Sequence, residues 1–140
     1  AEGYGYCIET ADGRRAAFAT DLGYCSPEVY TAISGAQLLV LESNHDVRML
    51  ECGPYPYPLK RRILSKKGHL SNETCAQVLT DLVRTGTQHV LLAHLSRQNN
   101  TPDLARVTSL GALAQIGAKN HRDFTLAVVP EANPGEKVLF

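Results

Sequence analysis

The sequence predicts an α/β layered fold, and three observations predict it. Short aliphatic runs alternate with amphipathic helical stretches after an opening hairpin, in the order α-β-α-α-β-α-β. Helix-start signatures recur between those runs, as at Ser26-Pro27-Glu28 and Thr101-Pro102-Asp103. The 140-residue length fits one domain, and neither a repeat nor a linker divides it.

Gly5 to Thr10 and Arg14 to Thr20 read as two strands joined by the turn Ala11-Asp12-Gly13. Ser26 then caps a helix that Pro27 opens. Glu28 sits by the positive end of its dipole, and Gly35 stops it after Ser34. Gln37 to Glu42 is a short buried strand around Leu38-Leu39-Val40-Leu41, and a brief helix covers Asp46 to Glu51. Gly53-Pro54-Tyr55-Pro56-Tyr57-Pro58 places three prolines in five positions and is expected to be loop. Ser71 or Asn72 caps a helix running to about Arg84, with Cys75, Val78, Leu79, Leu82 and Val83 on one apolar face and Gly86 as its stop. His89 to Ala93 is strand. The helix starting at Thr101 carries Leu104, Val107, Leu110 and Leu113 at helical spacing. Asp123 to Val129 is the last strand, before a tail with Pro and Gly that ends Val138-Leu139-Phe140.

Basic and acidic side chains balance at 14 each, so long-range steering of nucleic acid by net charge is not indicated, although a local basic patch is compatible. No apolar run approaches the ~20 residues of a membrane span, and no signal-peptide pattern is present. The chain opens without Met, so its natural start is not visible. Cys7, Cys25, Cys52 and Cys75 are widely spaced and never Cys-x-x-Cys. Buried free thiols and a cytoplasmic location are expected.

Asp21 follows the run Ala16-Ala17-Phe18-Ala19-Thr20, and His94 follows Val90-Leu91-Leu92-Ala93. Polar residues at the ends of buried strands are where α/β proteins place ligands and reacting groups. Further polar clusters follow at Glu42-Ser43-Asn44-His45-Asp46 and Gly68-His69-Leu70-Ser71-Asn72. Singly, each has a structural explanation: a turn residue, a hydrogen-bonded His, a helix cap. Two ligands also fall short of the three protein ligands a catalytic zinc needs.

Together the clusters resemble the second half of the metallo-β-lactamase fold. The likeness is to its nucleic-acid-processing members, the tRNase Z group and, more closely, the WalJ/YycJ-type proteins. Ala19-Thr20-Asp21-Leu22-Gly23-Tyr24, Leu41 to Asp46, Leu59 to Ser65, Gly68 to Asn72 and Leu92 to Ser96 carry it. The resemblance implies the C-terminal part of a four-layer αββα sandwich. It implies two divalent ions, Zn or Mn, in the complete protein, with Asp21 as bridging carboxylate and His94 as the last histidine ligand. His69 would assist the leaving group and Glu42 would orient it. The leading His-x-His-x-Asp-His signature is absent, so the metal set is incomplete here, and the third histidine would fall just before Ala1.

Lys60-Arg61-Arg62 and Lys66-Lys67 put five cations within eight residues, next to Tyr55 and Tyr57. One reading is a solvated loop; the other is a phosphate-binding edge leading into His69. Arg61, Arg62, His45, Ser71 and Asn72 are the candidate substrate contacts. The resemblance implies a metal-dependent phosphodiester hydrolase of nucleic acid, a DNA exonuclease acting from the 5′ end, with no membrane partner. The alternatives are a hydrolase of a small-molecule ester or phosphodiester on the same fold, and a non-enzymatic α/β interaction domain.

Overall fold

Alternation of apolar residues and tight turns produces one five-stranded sheet with helices interleaved along the chain. The computed structural model describes residues 4–129; the tail closing with Val138-Leu139-Phe140 lies outside the described residues. Strands β1 (Tyr4–Glu9) and β2 (Arg15–Thr20) form the expected hairpin, with Gly13 supplying a φ of 88° that its turn requires. Then follow α1 (Pro27–Ile33), β3 (Leu38–Glu42), α2 (Val47–Cys52), α3 (Tyr57–Leu64), α4 (Asn72–Arg84), β4 (His89–Ala93), α5 (Pro102–Gln115) and β5 (Thr125–Val128). The sheet order is β1-β2-β3-β4-β5, with β2 to β5 mutually parallel and β1 antiparallel at the edge.

Register decides the core. Ala17, Leu39, Val90 and Leu126 stand side by side across four strands, with Ala19, Leu41 and Leu92 in the next row. These residues are buried with Ile33 of α1, Cys75, Val78, Leu79 and Leu82 of α4, and Ala105 and Leu113 of α5. Each fully buried leucine contributes roughly 1.5–3 kcal/mol by leaving water. Ser71 caps α4 as its sequence signature predicts, its side chain accepting from the Thr74 N–H at 3.0 Å.

The opposite face is only partly covered by the described residues. Tyr6, Phe18, Val40, Leu91 and Ala127 form one row across all five strands. Tyr6 is 65% exposed and the other four are only half-buried. Among the described residues the molecule is therefore two layers, a sheet with helices packed on one side.

Three expectations need correction. The proline-rich stretch is not all loop, because Tyr57 and Pro58 form the first turn of α3. Proline is tolerated there because first-turn N–H groups have no intrahelical acceptor to lose. On α5, Leu104 and Val107 are exposed, and the inner stripe is Ala105, Ser109 and Leu113, with Leu110 half-buried. Small residues face α4 there and allow close approach. All four cysteines are free, but only Cys75 is buried; Cys25 is intermediate, and Cys7 and Cys52 are exposed.

Candidate metal centre

Parallel pairing sets the strand ends β2, β3 and β4 next to one another, since Ala19 faces Leu41 and Glu42 faces Ala93. Adjacent strands lie about 4.8 Å apart. Asp21, just past β2, Glu42, the last residue of β3, and His94, just past β4, therefore share one sheet edge. Asp21 and His94 have φ of 58° and 60°, the left-handed region, which costs a residue with a Cβ on the order of 1 kcal/mol. Such conformations concentrate at functional sites. His69 enters from the loop that precedes α4, and its ring centroid lies 5.3 Å from that of His94.

Glu42 is the hub. It is completely buried, and its Oε1 accepts from the Asp21 N–H at 3.2 Å and pairs with His69 Nδ1 at 3.1 Å and with His94 Nδ1. Its Oε2 accepts the Leu70 N–H at 3.0 Å. Burial by itself would raise the Glu42 pKa, but the hydrogen bonds from His69, Leu70 and His94 outweigh it and hold the carboxyl below its ordinary value. In return, the hydrogen bond to Glu42 lifts the His69 pKa above the usual histidine value despite partial burial. With both Nδ1 atoms tied to one carboxylate, each imidazole has its Nε2 left for other work.

Two glycines let this assembly close. A Cβ on Gly23 would stand 2.0 Å from the Lys66 carbonyl oxygen, and one on Gly68 would stand 2.1 Å from that of Ile63. The turn after Asp21 therefore rests directly on the loop carrying His69. That loop rests in turn on α3, with the His69 N–H donating to the Ile63 carbonyl at 3.2 Å. Both glycines lie inside the motifs that carry the family resemblance, yet their packing role has no local signal.

The remaining candidates separate. Arg62 lines a cleft of about 520 Å³ together with His69, His94, Lys67, Tyr55 and Asn99. Arg61 instead lies over the Tyr57 ring, 5.9 Å from its centroid. Ser71 serves as the α4 cap. Asn72 is fully buried, accepting from Ser43 Oγ at 2.6 Å and donating to Asn100 Oδ1 at 2.8 Å. His45 is also buried, with Nδ1 beside Asn44 Oδ1, and burial pushes its pKa down to about 4. None of these last three lines the cleft. Sequence reasoning passed over Lys67 as a cleft residue, and Asn99 and Asn100 altogether; the Asn-Asn pair just before the Thr101 cap was their only trace.

One donor atom from each of Asp21, Glu42, His69 and His94 lies within 4.8 Å of every other. Two imidazoles and two carboxylates are a nitrogen and oxygen donor set suited to a divalent metal ion. Glu42 already receives four donors, so its chemistry fits that of an orienting group behind the histidines. The half-exposed Asp21 carboxylate lies 3.7 Å from His69 Nδ1 and 3.8 Å from His94 Nδ1.

A mostly parallel sheet with a carboxylate and histidine cluster at its carboxyl edge agrees with the α/β fold the family likeness implied. The beta-lactamase superfamily domain matches residues 2–95, and the chain belongs to that family. Among its relatives, exodeoxyribonuclease YycJ of Bacillus anthracis is 45% identical over 106 residues, covering 76% of this chain and 40% of that protein. Exodeoxyribonuclease WalJ of Streptococcus pneumoniae strain D39 is 42% identical over 96 residues, covering 69% of this chain and 36% of that protein. The chain thus spans about two fifths of the length of these relatives. No helix among the described residues is long and apolar enough to cross a membrane.

Proposed function

We propose that this chain is the C-terminal portion of a cytoplasmic, metal-dependent phosphodiester hydrolase, an exonuclease of DNA. The observation that carries the reading is the convergence of Asp21, Glu42, His69 and His94 from four separate segments, beside a cleft that holds Arg62 and Lys67. The partly exposed row from Tyr6 to Ala127 supports an upstream half that lays a second sheet on this one and adds further ligands. The DNA substrate and the exonuclease mode rest on kinship with relatives so named.

Two divalent ions, Zn²⁺ or Mn²⁺, supply when bound an activated water and electrostatic stabilisation of phosphoryl charge. Asp21 and His94 would help hold them at the sheet edge. Glu42 fixes both imidazoles, so neither ring must be ordered during the reaction. As a water oxygen bonds to phosphorus and the bond from phosphorus to the leaving oxygen breaks, His69, in the cleft wall, gives that oxygen a proton, so that a phosphomonoester and an alcohol are released. By itself the 140-residue chain binds metal weakly at most.

Metal content of the complete protein tests the centre. Asp21→Asn and His94→Asn both tolerate the left-handed backbone, and each should lose bound Zn²⁺ or Mn²⁺. Unchanged metal in both variants would refute the site. His69→Ala should keep its metal and lose roughly 10²–10³-fold in kcat on DNA, and an intact rate would remove His69 from the chemistry.

A further inference from the structure

The basic stretch between Lys60 and Lys67 is divided by the fold into cations with different tasks. Lys60 donates to the Glu51 carbonyl at 2.8 Å, Arg61 lies over Tyr57, and Lys66 lies over the Tyr24 ring, 5.1 Å from its centroid. Arg62 and Lys67 are the two that line the cleft, in the same wall as His69 and His94. They belong to one rigid unit with His69. The Ser65 N–H donates to the Arg62 carbonyl at 3.2 Å, the His69 N–H bonds the next carbonyl of α3, and Gly68 is packed against both carbonyls with no room for a Cβ. Tyr55, Leu59 and Ile63 add an aromatic ring and aliphatic surface to the same cleft.

A phosphodiester carries one negative charge, and the metal centre is already there to meet it. A terminal phosphomonoester carries nearly two, and two neighbouring cations are its natural complement. A strand end that bears such a group presents one nucleoside between two phosphates. The cleft brings the same kinds of surface together, with His69 and His94 for the scissile phosphate, Tyr55, Leu59 and Ile63 for the nucleoside, and the cations Arg62 and Lys67. The other cleft beside His94 is lined by Leu95, Arg97, Pro102 and Val129 among others and has no such pair of cations.

We propose that the cleft seats the terminal nucleotide of a DNA strand, with its terminal phosphomonoester on Arg62 and Lys67 and its base against Tyr55. The proposal rests on the nuclease reading and deepens it, because it makes end recognition a property of this chain's own residues. A 5′-phosphate and a 3′-phosphate would present the same chemistry to the two cations.

The complete protein is assayed on one oligodeoxynucleotide prepared in four forms, with 5′-phosphate, 5′-hydroxyl, 3′-phosphate and 3′-hydroxyl ends. At whichever end is attacked, the phosphorylated form should be preferred at least tenfold in kcat/KM. That ratio should fall toward one in Arg62→Ala and in Lys67→Ala, and Arg62→Lys should keep most of it. Because it is a ratio within one preparation, partial unfolding of a variant does not mimic the effect. No preference in the wild type, or a preference untouched by both alanine variants, would overturn the proposal. Calorimetric titration with deoxyadenosine 5′- and 3′-monophosphate separates this failure from failure of the nuclease reading. If no DNA is cleaved, mononucleotide binding weakened about tenfold by Arg62→Ala still supports the pocket, and binding equal to that of unphosphorylated deoxyadenosine overturns it.

Discussion

Replacing Glu42 by Gln removes one charge and changes almost no volume, so it isolates what the buried carboxylate does. Four donors converge on it: the N–H groups of Asp21 and Leu70, and Nδ1 of His69 and of His94. A glutamine has one acceptor oxygen. If that oxygen takes the Oε1 position, its NH₂ group faces the Leu70 N–H, donor against donor, at a cost of about 1–3 kcal/mol. The imidazoles then bond a neutral carbonyl, and each such bond is roughly half as strong as the charge-assisted one. Removing a buried charge returns some desolvation energy. For Glu42, however, the hydrogen bonds already outweigh burial, which sets the sign. The net expectation is a loss of about 3 kcal/mol. With a urea m-value of about 2 kcal/mol/M, the midpoint should fall by roughly 1.5 M. The measurement is urea unfolding followed by circular dichroism, with EDTA present so that metal binding does not contribute. A midpoint unchanged within about 0.3 M, or a higher one, would show that the carboxylate is not the hub of this edge.

Other expectations follow from packing and burial. Gly68→Ala should destabilise by about 3 kcal/mol in thermal or urea unfolding, because its Cβ would meet backbone oxygens rather than a side chain that can rotate away. A variant as stable as wild type would deny the close seating of the His69 loop. Asn72→Ala should cost about 2 kcal/mol, since Ser43 Oγ loses its Asn72 acceptor and each polar atom of the Asn100 amide loses one of two partners, keeping only the Ser43 carbonyl and the Thr101 N–H. The same urea midpoint would be the readout, and a change under about 0.5 kcal/mol would refute the network. Pulsed alkylation near pH 8, read by mass spectrometry, should label Cys7 and Cys52 first. Burial, aided by the Asp81 charge, pushes the Cys25 thiol up to about 11, so it should react slowly. Cys75, pushed to about 12 by burial, should react only on unfolding; its labelling in the folded protein would contradict its place in the core.

Local signals made much of the fold legible. The Gly13 turn, the Ser26 and Ser71 caps and the apolar face of α4 each depend on neighbours within a few residues. Misreadings arose where local rules compete. Proline marks both a break and a first turn, and α3 took the second option. On α5 the larger aliphatic residues face solvent while Ala105 and Ser109 face inward, because close helix packing selects small size over hydrophobicity.

By itself the sequence determined the family, the strand-end positions of Asp21, Glu42 and His94, and the presence of a basic stretch before His69. Those features are carried by short motifs whose chemistry survives in one dimension. Tertiary structure alone decided that one buried carboxylate would serve two imidazoles and two backbone amides at once, since these partners lie 21 to 52 residues from Glu42 along the chain. It also decided that Arg62 and Lys67 would line the cleft while Arg61 lies over Tyr57, and that Ser71 and Asn72 would be spent on a cap and a buried network. Parallel strand register and two glycine contacts place these groups, and both are properties of segments brought together from far apart.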